Sequence, residues 1–205
     1  MLAWTGWTYE VQPADIDESL LPGEAPAVYV ARLAEGKARA VEPYGVIAQV
    51  VLAADTTVAD ERGLLGKPAD AVEAVEMLLR LRGRSHQVFT ALTVSLPGKR
   101  RRISDLCVSQ VPMRDYNDAE IEAYVASGDP LDKAGAYAIQ HAGFHPVENF
   151  RGCFASVMGL PLCHLARSMA KLGLTAPADI PAVCQQNLRY DCPISQKVLN
   201  GETIG

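Results

Sequence analysis

The charged side chains Glu18, Lys37, Asp55, Lys67, Asp132 and Lys133 fall at the ends of predicted elements, where loops leave polar groups facing a crevice. Asp55 closes the run Val50-Val51-Leu52-Ala53-Ala54-Asp55-Thr56-Thr57, which is apolar for long enough to form a buried strand and then breaks into a carboxylate and two hydroxyls. Lys67 follows in the turn Leu65-Gly66-Lys67-Pro68. In open α/β sheets ligands bind beyond the carboxyl ends of the strands. An acid placed there holds a metal ion or activates water, and a lysine neutralises phosphate charge. The competing reading of Asp55 alone is an ordinary Asx turn. Acids and lysines without a nucleophile suit hydrolysis of a phosphoanhydride, where positioning and charge stabilisation do most of the work. A divalent ion on the carboxylates supplies hydroxide and polarises phosphate oxygens. The sequence has neither a Gly-x-Ser-x-Gly elbow nor a Walker phosphate loop. His86, His141, His145 and His164 lack metal-ligand spacing, and His86 and His164 read as structural.

The elements that must position these groups are legible in the hydrophobic pattern. Trp7 to Val11 alternates like a short strand, and Pro13 to Pro26 is a loop rich in acid, Pro and Gly. Ala27 to Val41 reads as a helix with Val30, Leu33, Ala34 and Ala38 on one face and Lys37 near its edge. Val46 to Ala54 is the buried strand, and Asp60-Glu61-Arg62-Gly63 turns Thr57-Val58 back on Leu64-Leu65 as a small hairpin. Asp70 to Leu81 is a second helix, with Val72, Val75, Met77, Leu78 and Leu79 apolar and Gly83 just past its end. His86 to Leu96 and Ile103 to Val111 form an antiparallel hairpin across the basic tip Pro97-Gly98-Lys99-Arg100-Arg101-Arg102, a solvated turn. Asn117 caps a third helix through Ala126, and Leu162 to Leu172 is a fourth. From Thr175 onward Pro, Ala and polar residues suggest a peripheral tail, so residues 1–174 form the expected domain and 175–205 a tail of unassigned role.

Composition narrows the function class. A chain of 205 residues with 49% hydrophobic and 21% charged content is globular. No apolar run reaches membrane-span length, and Met1-Leu2-Ala3-Trp4 lacks a basic region followed by an apolar core, so no signal peptide is expected, and the cysteine usage makes a reduced cytoplasmic protein the simplest reading. A net charge of -5 argues against a nucleic-acid polymer as partner but leaves room for a nucleotide pocket. Of the five cysteines, Cys107, Cys153 and Cys163 read as small core residues, while Cys184 and Cys192 could pair or bind a metal.

Short motifs in a fixed order then resemble the Maf family of nucleoside triphosphate pyrophosphatases, over roughly Trp7 to Leu174. They are Asp15-Ile16-Asp17-Glu18, Arg32-Leu33-Ala34-x-x-Lys37-Ala38, Ala53-Ala54-Asp55-Thr56 and Leu65-Gly66-Lys67-Pro68. They continue with Met77-Leu78 leading to Gly83-x-x-His86-x-Val88-x-Thr90, then Asp132-Lys133-Ala134-Gly135-Ala136-Tyr137-x-Ile139-Gln140, and close with Gly152 through Val157-x-Gly159-Leu160-Pro161-Leu162. The resemblance implies an α/β fold with a mixed twisted sheet, helices, and two lobes around a central cleft. It implies hydrolysis of a nucleoside triphosphate to the monophosphate and diphosphate with a divalent cation, magnesium or manganese. It makes Asp55 the base for the attacking water, Glu18 an acid near the metal alongside Asp55, and Lys37 and Lys67 the phosphate-holding lysines. Thr56 and Gln140 match the subgroup acting on dTTP and UTP. Gln pairs with a pyrimidine edge, and a small Thr leaves room beside it. Family members are often homodimers.

Departures from the pattern carry their own expectations. Family members open with a strand and a Ser-x-Ser-Pro-Arg-Arg loop, whereas Leu2-Ala3-Trp4-Thr5-Gly6-Trp7 matches only the end of the helix that follows it. A start codon assigned downstream of the true one is the expected cause and a real truncation the alternative, with weak or absent activity for the 205-residue chain and activity for an extended one. Ser109-Gln110-Val111-Pro112 also differs from the family's usual Thr-x-Val and apolar residue. The alternative reading is a nucleotide-binding regulator of septum formation. A broader enzyme of the inosine triphosphate pyrophosphatase type ranks last, since it shares neither Gly-Lys-Pro nor Asp-Lys-Ala-Gly-Ala-Tyr.

Overall fold

In the computed structural model, which describes residues 1–42 and 50–205, the first long helix is α1, Pro26–Val41. Proline at its first turn is pre-set for helix and forfeits no needed donor. Val30, Leu33, Ala34 and Ala38 recur at helical spacing and are all buried, as the sequence pattern predicts. Gly36 sits where a Cβ would come within 3.2 Å of Ile16 Cδ1, so its missing side chain lets the preceding loop lie against the helix.

Strand β1 spans Val51–Asp60 and pairs antiparallel with β2, Gly63–Leu65, through Val58↔Leu65 and Asp60↔Gly63. The small hairpin is therefore present. The predicted strand end is not, because Asp55 lies mid-strand opposite Ala91, and the Asx-turn alternative falls with it. A ladder uses backbone groups alone, so a carboxylate interrupts a strand only if its side chain lacks a partner. Residues 46–49 of the predicted strand lie outside the described residues.

Helix α2, Ala71–Leu81, is capped by the Asp70 carboxylate accepting from the Glu73 amide, and it is followed by β3, Ser85–Leu96. Its buried stripe is Ala74, Leu78 and Leu81; Val72 and Leu79 face solvent, narrower than the apolar pattern suggests. β3 pairs along its whole length with β4, Arg101–Pro112, so the sheet order is β2-β1-β3-β4, antiparallel throughout. Helix α3, Asp118–Ala126, carries the predicted Asn117 cap as a reciprocal box with Glu120. The short helix α4, Phe154–Val157, has no counterpart in the sequence reading. It precedes α5, Leu162–Lys171. Beyond it, α6, Ile180–Leu188, and α7, Ser195–Leu199, bury Ile180, Cys184 and Val198 against the main core. The architecture is mixed α/β, and among the described residues no helix is long and apolar enough to cross a membrane.

Strand alternation divides the core. On one face α1 covers Ala59, Phe89 and Ala91. On the other lie two clusters, one around Val58, Val88 and Val111 and one around Leu92, Val94 and Cys107. Asp55 shares the parity of Ala59 and so faces α1, while Thr56 faces the opposite side.

His86 and Tyr137 join the first of those clusters to the loop after α3: His86 Nε2 and the Tyr137 hydroxyl are 2.8 Å apart. Burial drives the His86 pKa from 6.5 down to about 4, and Asp60 only partly opposes it. The folded protein thus refuses a proton that the unfolded chain accepts. Stability from this group is complete above about pH 6.5 and falls as pH drops toward 4, by about 3 kcal/mol in all. Urea unfolding at intervals between pH 7 and 4 tests this. His86→Gln flattens the slope in that window, and an unchanged slope refutes the assignment.

Candidate active site

Three residues far apart in sequence meet on the α1 face of the sheet. Lys37 Nζ lies 2.7 Å from Asp55 Oδ1 and 2.7 Å from Glu18 Oε1. The Asp55 side chain is 9% exposed, Lys37 21% and Glu18 52%, so the cluster grades from a buried acid to an open one. Lys37 reaches Asp55 because its helix packs over β1, one turn beyond buried Leu33.

Glu18 is delivered by a loop that α1 itself pins down. The Tyr29 hydroxyl donates to the Glu18 carbonyl at 2.9 Å, and Arg32 donates to the Ser19 carbonyl at 3.0 Å. Arg32 also grips both carboxylate oxygens of Glu24, at 2.6 and 2.7 Å, the two-point contact that fixes orientation as well as charge. The Arg32 guanidinium stands over the Tyr29 ring. Tyr29, Arg32 and Glu24 are positioning residues that the motif reading left without a role. Their only sequence signal is the three- and four-residue spacing of Tyr29, Arg32 and Gly36 along one side of α1.

Electrostatically the cluster is poised. Burial pushes the Asp55 carboxyl above its ordinary value; the hydrogen bond and charge of Lys37 oppose this, and the negative charge of Glu18 adds to it. A carboxylate made more basic in this way is a better proton acceptor. Burial works against the charge of Lys37, yet its hydrogen bonds to Asp55 and Glu18 prevail and hold its pKa above the usual lysine range. Lys37 is a firm cation between two acids. Each carboxylate commits one oxygen to it, and among the described residues no ion pair holds the other hard oxygen donor. Two such carboxylates suit magnesium or manganese, which keep waters and take further ligands from substrate phosphates.

The remaining predicted residues lie elsewhere. Lys67 is exposed, and among the described residues no hydrogen bond or ion pair joins it to Asp55. Its loop is anchored where the Gly135 amide donates to the Gly66 carbonyl at 3.0 Å. Gly135 has φ +71°, and a Cβ there would meet the Val58 side chain at 3.1 Å, so this position in Asp-Lys-Ala-Gly-Ala-Tyr demands glycine. Lys133 is tied to Asp132 at 2.6 Å and Asp129 at 3.2 Å, and Lys67 lowers the Asp132 pKa only after Lys133 has done so. Gln140 is exposed. The Thr56 hydroxyl lies on the other side of β1, 2.9 Å from Thr90 Oγ1, which in turn donates to the Ser156 carbonyl at 2.8 Å. Glu18, Lys37 and Asp55 are thus brought together, and among the described residues no hydrogen bond or ion pair joins the side chains of Lys67, Thr56 or Gln140 to them.

The Maf-like protein family profile matches residues 1–172. The chain is 45% identical over 188 residues to a dTTP/UTP pyrophosphatase of Anaeromyxobacter dehalogenans (strain 2CP-1), with 88% of this chain and 92% of that protein aligned. It is 44% identical over 168 residues to one of Chromobacterium violaceum, covering 80% of this chain and 84% of the relative. A third dTTP/UTP pyrophosphatase, from Geobacter sp. (strain M21), is 40% identical over 173 residues, covering 84% and 89%.

Proposed function

As this chain belongs to the Maf-like protein family, we propose that it hydrolyses the α–β anhydride of dTTP and UTP, giving the monophosphate and pyrophosphate, at the Glu18–Lys37–Asp55 cluster. The observation that carries the reading is the pair of 2.7 Å contacts that set one cation between a buried and an open carboxylate.

In this mechanism Asp55 takes a proton from water as the water oxygen bonds to phosphorus. The bridging oxygen leaves with the electron pair of the broken P–O bond. Lys37, ionised throughout, faces the negative charge that builds on the phosphate oxygens, and Lys67 meets the outer phosphates from its exposed loop. Glu18 and Asp55 would hold a magnesium or manganese ion, which supplies charge neutralisation on phosphate. Gln140 pairs with the pyrimidine edge from its exposed position. Thr56, fixed by Thr90 behind the sheet, shapes the space for the base rather than touching the reacting phosphate. The resemblance supports a cytoplasmic setting and a homodimer for this reading.

Steady-state assays with magnesium or manganese should show kcat/KM for dTTP and UTP at least tenfold above that for ATP and GTP, the discrimination that a few base contacts supply. Equal rates on all four nucleotides, or no turnover by either the 205-residue chain or one extended at its N-terminus, overturn the proposal.

A further inference from the structure

A second cluster of chemistry-bearing groups lies on the opposite face of the sheet, and the reaction does not use it. Cys107 of β4, Cys153 at the start of α4 and His164 of α5 are all buried, and their Sγ and ring nitrogen atoms lie within 4.8 Å of one another. Three elements converge there with no sequence spacing to betray them.

The histidine is already set up as a ligand. The Ile204 carbonyl can only accept, so at 3.0 Å it fixes the proton on His164 Nε2. Nδ1 then carries a lone pair, and it is fully buried with no partner among the described residues. A ring nitrogen donating to a backbone carbonyl while the other stands free is how metal-binding histidines are held. Ser156 beside Cys107 is likewise fully buried, with a hydroxyl that has no partner among the described residues. Orphaned polar atoms of this kind cost stability unless something occupies the space between them.

We propose that Cys107, Cys153 and His164 Nδ1, with Ser156 Oγ completing the shell, form a closed site for one thiophilic divalent cation, zinc being the best fit. Tetrahedral zinc at its usual bond lengths needs ligand atoms about 3.5–3.8 Å apart, a modest contraction of the observed cluster. Two thiolates, a neutral imidazole and a divalent ion sum to zero charge, which a buried site tolerates. Sulfur and imidazole donors also exclude magnesium, which separates this site chemically from the Glu18–Asp55 pair.

The site has a structural consequence. Cys107 is register-paired with Thr90, and Thr90 with Thr56, so the three side chains form a row across one face of the sheet. The Ser156 carbonyl accepts from Thr90, and Thr90 is bonded to Thr56. An ion held at Cys153, Ser156 and His164 thus clamps α4 and α5 onto that row.

The full-length chain, reduced and stripped with a chelator, is titrated with Co2+. One equivalent should bind with thiolate-to-cobalt charge-transfer bands and the intense visible bands of four-coordinate cobalt. Zn2+ should abolish the signal and raise the thermal midpoint, and excess Mg2+ should do neither. Cys107→Ser and Cys153→Ser, checked for folding by circular dichroism, should each lose about half of the charge-transfer intensity or more, while Cys192→Ser keeps it. If the serine variants fail to fold, His164→Gln keeps both thiols and should lose the four-coordinate visible bands. Absence of thiolate bands in the parent chain, their survival in both serine variants, visible bands unchanged by His164→Gln, or displacement by Mg2+ overturns the site. A Cys107–Cys153 disulfide in protein isolated without reductant, with no Co2+ bound after reduction, overturns it equally.

Discussion

Asp55→Asn should lower kcat for dTTP by about 10²–10⁴-fold relative to the same chain carrying Asp55, the usual worth of a positioned general base. Asn keeps the shape of the side chain but cannot take a proton from water. Lys37 retains its 2.7 Å contact with Glu18, so the phosphate-facing charge persists and KM should move less than tenfold. The substitution should not unfold the protein. Burial raises the Asp55 pKa, so the folded state holds that proton more tightly than the unfolded chain does. Ionised Asp55 therefore costs stability once pH rises above the carboxylate range, and the neutral isostere removes that cost. The lost ionic contact with Lys37 offsets that relief, so the expected thermal midpoint at pH 7 in chelator is close to that of the parent. Retention of more than a tenth of kcat assigns the base to another group, and a collapse of the midpoint makes Asp55 a structural residue.

The largest stability effect is expected far from the site, at Arg167→Met. Arg167 and Asp105 are 7% and 11% exposed and are joined by hydrogen bonds of 2.7, 2.8 and 3.0 Å. The Ser168 hydroxyl adds a further hydrogen bond to the same carboxylate at 3.2 Å, and the Leu106 amide another at 3.0 Å. Arg167 also donates to the Val198 carbonyl at 3.1 Å and the Glu202 carbonyl at 2.7 Å, so one guanidinium fastens β4, α5 and the segment after α7. Truncation leaves the Asp105 carboxylate buried without its counter-charge, and breaking such a pair costs about 3–5 kcal/mol. Urea unfolding at pH 7 measures it. A second variant, Asp105→Asn with Arg167→Met, removes the stranded charge and should recover part of the loss. A loss below about 1 kcal/mol for the single variant contradicts the role given to the pair, because that is the value of an exposed one.

Much of the scaffold was legible because its rules are local. The face of α1 follows from Val30, Leu33, Ala34 and Ala38 at three- and four-residue steps, and the β3–β4 hairpin from two alternating runs around a Pro-Gly tip. The Asn117 cap follows from Asn three residues before Glu. What escaped depends on partners distant in sequence. Asp55 looked like a strand terminus because a carboxylate in a strand is costly alone; Lys37, eighteen positions away, is what makes it affordable. Val72 and Leu79 looked like core, but the stripe of α2 that meets the sheet runs through Ala74, Leu78 and Leu81. From its composition the tail is expected either to pack on the domain or to trail from it, and Arg167 and the buried Val198 hold it against the domain.

The site shows the same division. The sequence groups Glu18, Lys37 and Asp55 with Lys67, Asp132 and Lys133, and of these the first three are joined by ion pairs in the structure. Arg32 stands in a quoted motif without a role, and the part that it, Tyr29 and Glu24 play in holding the Glu18 loop escapes the sequence because backbone carbonyls are half of what they grip. Cys107, Cys153 and His164 were read as core residues, which in burial they are. Their convergence from three elements has no trace in spacing.

The central claim is that water is delivered to the α–β anhydride of a pyrimidine triphosphate at this cluster. Phosphorus NMR of dTTP turned over by the purified chain with magnesium tests it most directly. The account predicts dTMP and pyrophosphate in equal amounts, appearing together and without dTDP. Accumulation of dTDP with orthophosphate would contradict it, since the cut would then fall at the β–γ bond.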